Sequence, residues 1–259
     1  MIELIIFGLL SGVGGMVLGA IIPLLFKNVS DEFNRLLTVF AAGIMLAVTI
    51  FDLFPEAFIV VREVMEVKHD IHLVLYVFGF ALISMIILFG LTTLIKIMAK
   101  KRQNLLPQKN HKYYLTGIIL MLSIALHDLP EGVAIGVSYS LQASKGLSMA
   151  ILIGIHNIPE GFASALPFKR AGMKRHKIVL LCGLVGLVTL VGAIAGYYLG
   201  QIDPYVDSAL LALTAGAMLY LVFDMFKDGF AGKRKSLLAF TTIMAIFLGI
   251  FIISVVSGV

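Results

Sequence analysis

Two hexapeptides carry the chemistry that this sequence can do. The first is His127-Asp128-Leu129-Pro130-Glu131-Gly132, and its echo is His156-Asn157-Ile158-Pro159-Glu160-Gly161. Each lies inside a long apolar run. In each, a His and a Glu stand four residues apart, so on a helix they share one face. Imidazole and carboxylate together suit zinc, and also iron, manganese, cobalt or cadmium. With the two segments facing each other, His127, Glu131, His156 and Glu160 make a two-His, two-carboxylate site. Asp128 and Asn157 can build a second site beside it, bridged by Glu131 or Glu160, so a binuclear centre is within reach of these residues. Ionisable groups deep in lipid are costly unless compensated, and a divalent ion compensates them. A single buried His is usually a packing residue. Two copies of one cluster at identical spacing are hard to explain by packing.

Each motif also carries a proline. Pro130 and Pro159 cannot donate a backbone hydrogen bond, so the carbonyls of Leu126 and Ile155 lose their usual partners. A kink is expected in each helix, with Gly132 and Gly161 loosening it. Such breaks suit a pathway that binds and releases an ion better than a rigid structural site.

The elements that must hold these motifs are membrane helices. Hydrophobic residues make up 60% of the 259-residue chain and charged residues 14%, against roughly 45–50% and ~25% in a soluble domain. Eight apolar segments, near 2–26, 36–58, 72–97, 114–139, 147–167, 178–200, 205–226 and 236–257, approach the ~20 residues a span requires. The short loops leave no room for a soluble domain, so one transmembrane domain over 1–259 is expected. All but three of the 20 Lys and Arg residues fall in or beside the loops after segments 1, 3, 5 and 7; the exceptions are Arg62, Lys68 and Lys145. The positive-inside rule then puts the odd-numbered loops in the cytoplasm and both termini outside. The basic residues are topology signals and lipid contacts, so nucleic acid is left out as a partner. The lone Cys182 excludes an intrachain disulfide and a thiolate cluster. The first apolar run lacks a basic n-region and is expected to stay as a helix.

Segments 2 and 7 share a faint repeat. Ala42-Gly43-Ile44-Met45-Leu46 and Phe51-Asp52-Leu53-Phe54 answer Ala215-Gly216-Ala217-Met218-Leu219 and Phe223-Asp224-Met225-Phe226. With segments 1–3 and 6–8 as repeats, the topology makes them inverted, a transporter pattern. Asp52 then lies near the outer mouth and Asp224 near the inner one. Asp52, Glu56, Asp224 and Asp228 are expected near helix ends, as caps or as ion guides. Glu63, Glu66, His69, Asp70 and His72 read as a solvated outer loop. Glycines at spacing near four in segments 1 and 6 make smooth faces for static packing or for sliding.

The paired hexapeptides, on the fourth and fifth of eight helices, resemble the ZIP (Zrt/Irt-like) divalent-metal transporters, prokaryotic type. The resemblance implies an all-α polytopic fold in a 3+2+3 inverted-repeat arrangement. It implies zinc transport into the cytoplasm by alternating access across the cell membrane, with the helix 1, 4, 5 and 6 bundle moving against the rest. It also implies a binuclear centre: His127, Glu131, His156 and Glu160 at the first site, and Asp128, Asn157, Glu131 and Glu160 at the second. Many members place an amide on helix 4 and an acid on helix 5; here the order is swapped. Many also carry a Glu on helix 6, where Leu187-Val188-Thr189-Leu190 puts Thr189, and a His-rich loop between helices 3 and 4, where only His111 stands. Divalent ions and membrane lipids are the expected partners, with a homodimer as a further option. The rival reading is an intramembrane dimetal enzyme, an oxidase or hydrolase, since helical bundles also host such centres. No H-E-x-x-H or Glu-x-x-His pair supports it.

Overall fold

The computed structural model describes residues 1–26, 29–64, 70–103 and 109–257. Within them, eight helices are long and apolar enough to cross a membrane: α1 Ile2–Leu25, α2 Asp31–Arg62, α3 Ile71–Met98, α4 His111–Leu141, α5 Ala143–Arg170, α6 Arg175–Leu199, α7 Pro204–Gly229 and α8 Lys235–Val255. Glu66, Lys68 and His69 of the expected outer loop lie outside the described residues.

The helices overrun most of the apolar segments because local caps set their ends. Helix α2 starts ahead of the apolar run at residue 36. Ser30 accepts the Phe33 N–H at 3.1 Å, and Asp31 and Glu32 place negative charge in the first turn, where the helix dipole favours it. Helix α7 begins with Pro204 in its first turn, and Asp203 accepts the Tyr205 N–H at 2.7 Å. The α5–α6 link turns at Gly172, whose φ of 81° only glycine adopts readily.

The helices containing Pro130 and Pro159 run unbroken through both prolines. Wide π-helical turns interrupt α1 at Leu9–Gly14 and α2 at Thr49–Leu53. In the first, Ser11 Oγ donates to the Phe7 carbonyl at 2.7 Å; in the second, Thr49 Oγ1 donates to the Met45 carbonyl at 2.8 Å. Hydroxyls that bond back one turn disturb the helical ladder, and wide turns mark functional positions more often than chance.

Packing divides the helices into two groups. In one, α4 packs on α5 and α6, and α1 packs on α5 and α6. In the other, α2 packs on α7 and α8, and α3 packs on α7. The groups meet where α2 and α8 touch α5 and where α3 and α7 touch α4. Exchanging α1 with α6, α2 with α7, α3 with α8 and α4 with α5 turns every one of these pairs into another of them or into itself. Each exchange joins an odd helix to an even one, and successive spans alternate in direction, so the repeat is inverted.

The glycines of α1 and α6 lie inside the first group. A methyl group on Gly12 would stand 2.1 Å from the Gly186 carbonyl oxygen, and one on Gly192 would stand 2.4 Å from that of Leu129. These faces are tight contacts among α1, α4 and α6. They lie inside the group and not on the seam along which it would move against α2, α3, α7 and α8, which fits static packing, the first of the two readings.

Candidate metal centre

Helices α4 and α5 cross at the two hexapeptides, and the motifs interlock. His127 Nε2 of α4 lies 3.3 Å from both carboxylate oxygens of Glu160 of α5. His156 Nε2 of α5 lies 3.0 Å from Glu131 Oε2 of α4. Each His therefore meets the Glu of the other helix. Close backbone approach fixes this register: methyl groups on Gly132 and Gly161 would stand 2.1 Å from the Thr189 carbonyl of α6 and 2.2 Å from the Met16 carbonyl of α1.

Asp128 sits beside the first pair. Ligand atoms of His127, Asp128 and Glu160 all lie within 4.8 Å of one another, with Asp128 Oδ1 3.9 Å from His127 Nε2. All six predicted ligands are buried; Asp128, Glu131, His156 and Asn157 are at 0% exposure, and His127 and Glu160 at 6% and 5%. The Asn157 amide donates to the Ser11 carbonyl at 3.1 Å, which fixes the side chain and leaves Oδ1 as an acceptor.

The hydrogen-bond inventory of this cluster is incomplete in a telling way. Both oxygens of Asp128, Oε1 of Glu131, Oδ1 of Asn157, Nδ1 of His127 and Oγ1 of Thr189 are buried without a partner. Buried polar groups are normally paired, and most of these are acceptors. His156 sharpens the point. Its Nδ1 lies 3.2 Å from the Leu152 carbonyl, so that nitrogen carries the hydrogen and Nε2 faces the Glu131 carboxylate. Metal-ligating histidines are held in this way, by a second-nitrogen bond to a carbonyl. The converging ligand atoms of His127, Asp128 and Glu160, with unmet acceptors on Asp128, Glu131 and Asn157, fit a divalent cation.

A cavity of about 610 Å³ connects this cluster to one face of the molecule. His127 and Glu160 line its deep end; Arg35, Lys96, Arg170 and Asp228 are among the residues at its mouth. That face bears the Lys- and Arg-rich helix ends. Thr189, predicted to stand in for a missing carboxylate, is fully buried, and its side chain faces Gly12 of α1.

The expected pathway acids fall in two places. Asp224 lines the cavity and pairs with Lys96 Nζ at 2.7 Å. Asp52 is half-buried in the wide turn of α2, well inside the helix rather than near its end. The wide turn extends α2 past Asp52 because the helix continues to Arg62. Glu56, one turn on, pairs with Lys145 Nζ at 2.6 Å.

Sequence reasoning missed three participants. Lys145 was counted only as a topology signal, although it is one of three basic residues on its side. Thr214 Oγ1 of α7 lies 3.1 Å from the Pro130 carbonyl and ties the second group to the motif. The Ser11 carbonyl orients Asn157. A lone Thr and a backbone oxygen leave no pattern that spacing could reveal.

Comparison with known proteins identifies the family. A family model described as ZIP zinc transporter matches residues 107–257, a stretch holding both motif helices. The zinc transporter ZupT of Escherichia fergusonii is 30% identical over 227 residues, covering 85% of this chain and 83% of its own. ZupT of Salmonella paratyphi A and of Shigella flexneri serotype 5b match with the same identity and coverage. The chain is a multi-pass protein of the cell membrane and belongs to the ZIP family of zinc transporters.

Proposed function

We propose that the chain carries divalent metal ions, zinc foremost, across the membrane through the α4–α5 cluster. The observation that carries this reading is the set of buried, unpaired acceptor atoms at the inner end of a cavity open to one face. An ion arriving there exchanges water for His127, Glu160 and Asp128, and for His156 and Glu131 beside them. Two cations spread over the two interlocked pairs would make the centre binuclear, with Asp128 and Asn157 Oδ1 serving the second.

The basic residues around the cavity support a cytoplasmic orientation for that face, so this conformation is open inward; uptake is the direction that the ZIP resemblance implies. No step in this account needs bond-breaking chemistry on a substrate, and the transporter relatives give the enzyme reading no support.

Reconstituted protein in vesicles loaded with a zinc-sensitive dye tests the site. Glu160→Ala is expected to give no zinc-dependent signal while keeping wild-type helicity by circular dichroism. Its carboxylate contacts His127 and lies beside Asp128, and with His127 it lines the cavity. Wild-type flux in that variant would overturn the reading.

A further inference from the structure

The wide turn of α1 lies directly against Asn157. A methyl group on Gly15 would overlap both Asn157 Cβ and the Gly154 carbonyl oxygen of α5, each at 2.7 Å. One on Gly154 would stand 3.3 Å from Ser11 Cα. These overlaps mark backbones in near contact, with a glycine on each side where a side chain would push the helices apart.

The backbone bonding changes at that contact. In a regular helix the Gly15 N–H would bond the Ser11 carbonyl, four residues back. Here it reaches the carbonyls of Leu10 and Gly12 instead. The Ser11 hydroxyl bonds back to the Phe7 carbonyl, so the ladder is disturbed at the same residue. The Ser11 carbonyl is left facing α5, where Asn157 Nδ2 donates to it at 3.1 Å. A carbonyl at membrane depth needs a donor, and the carboxamide supplies one. At the other end of the same group, Asn157 Oδ1 is buried without a partner. A carboxamide can give a hydrogen to the turn and present an oxygen to an ion at once; an ionised Asp cannot donate, and an apolar residue can do neither.

We propose that the wide turn of α1 is the positioning element for Asn157, and that through it α1 sets whether the second cation of the α4–α5 centre is held. This rests on the ion path through that centre. The Ser11 carbonyl holds Nδ2 and so fixes Oδ1 as a ligand. Were the turn closed to a regular one, the backbone would take the carbonyl, Asn157 would be free to rotate, and the second position would lose its amide oxygen.

Deletion of Gly14 tests this. The wide turn holds one residue more than a regular turn, because its bonds span five residues instead of four. A methyl group on Gly14 would meet only the Leu9 carbonyl oxygen of its own helix, at 3.7 Å, so Gly14 faces no neighbouring helix. Without it, Met16 becomes the fourth residue after Ser11 and its N–H takes the Ser11 carbonyl, while the helix faces on either side keep their register. Zinc bound per chain, measured by equilibrium dialysis of the purified protein, is expected to fall from two ions to one. Asn157→Ala is expected to do the same, and combining the two changes to lose nothing further. A deletion variant of wild-type helicity that still binds two ions would overturn the proposal, as would a wild type that binds only one. A second measurement uses the wild type alone. In protein labelled with 15N-asparagine, the Asn157 side-chain amide, assigned by its absence from Asn157→Ala, is expected to show one downfield, hydrogen-bonded proton and to shift when the second equivalent of zinc is added. An amide that zinc leaves unmoved would overturn the proposal. Glu160→Ala tells the two failures apart: if it binds and carries zinc like the wild type, the α4–α5 path is wrong and the proposal falls with it, whereas loss of zinc there with none on deletion of Gly14 removes only the role of α1.

Discussion

Asp52 with Glu56 on α2 and Asp224 with Asp228 on α7 occupy matching places in the inverted repeat, yet one mouth is shut and the other open. At the shut mouth, Glu56 is locked to Lys145 of α5 at 2.6 Å, with side chains only 12% and 26% exposed. At the open mouth, Asp224 and Asp228 line a cavity of about 610 Å³. There Asp224 pairs with Lys96 at 2.7 Å, but the side chains are 29% and 53% exposed. The shut-mouth pair also spans the two helix groups, α2 to α5. The open-mouth pair stays within one group, α3 to α7. Matching acids in two environments fit the alternating access proposed for the chain: those of α2 form a clamp on one side and those of α7 a vestibule on the other.

Charge reversal at the clamp should have the largest effect. Lys145→Glu places a third acid beside Asp52 and Glu56 and replaces attraction with repulsion. Zinc uptake is expected to fall about tenfold or more, equivalent to ~1.4 kcal/mol of bias against the inward-open state. A thiol reagent added from the clamp side is expected to reach Ser148→Cys, one turn deeper and fully buried in the wild type, only in the Lys145→Glu background. Uptake at the wild-type rate with no gain in labelling would break the comparison.

The open-mouth pair should matter least. Asp224→Asn removes a solvent-screened contact of a kind worth roughly 0–1 kcal/mol. Uptake within about twofold of wild type and an unchanged melting temperature are expected on that basis. A loss as large as that of Lys145→Glu would mean that both pairs act as gates and that exposure does not distinguish them.

The sequence made some of this legible and hid the rest for physical reasons. Eight spans followed from composition, because lipid demands about 20 apolar residues per helix. The six candidate ligands followed from type and spacing, because His and Glu four apart must share a helix face. Their partners did not: that His127 meets Glu160 rather than Glu131 depends on how α4 and α5 are rotated. Contacts of Gly132 and Gly161 with neighbouring backbones set that rotation. Both helices continue through Pro130 and Pro159, while the wide turns at Leu9–Gly14 and Thr49–Leu53 had no proline to announce them. Lys145 looked like topology because its partner Glu56 is 89 residues away in sequence. The glycine spacing of α1 and α6 left static packing and sliding both open, because spacing reports a smooth stripe and not what lies against it.

The central claim is that the ion passes through the interlocked His–Glu pairs of α4 and α5. Radiozinc uptake into proteoliposomes, comparing wild type with the His127→Ala, His156→Ala double variant, tests it most directly. The account predicts time-dependent uptake by the wild type and none above empty vesicles by the variant, with both proteins folded and inserted alike. Equal uptake by the two would contradict it and would place the path elsewhere in the membrane domain.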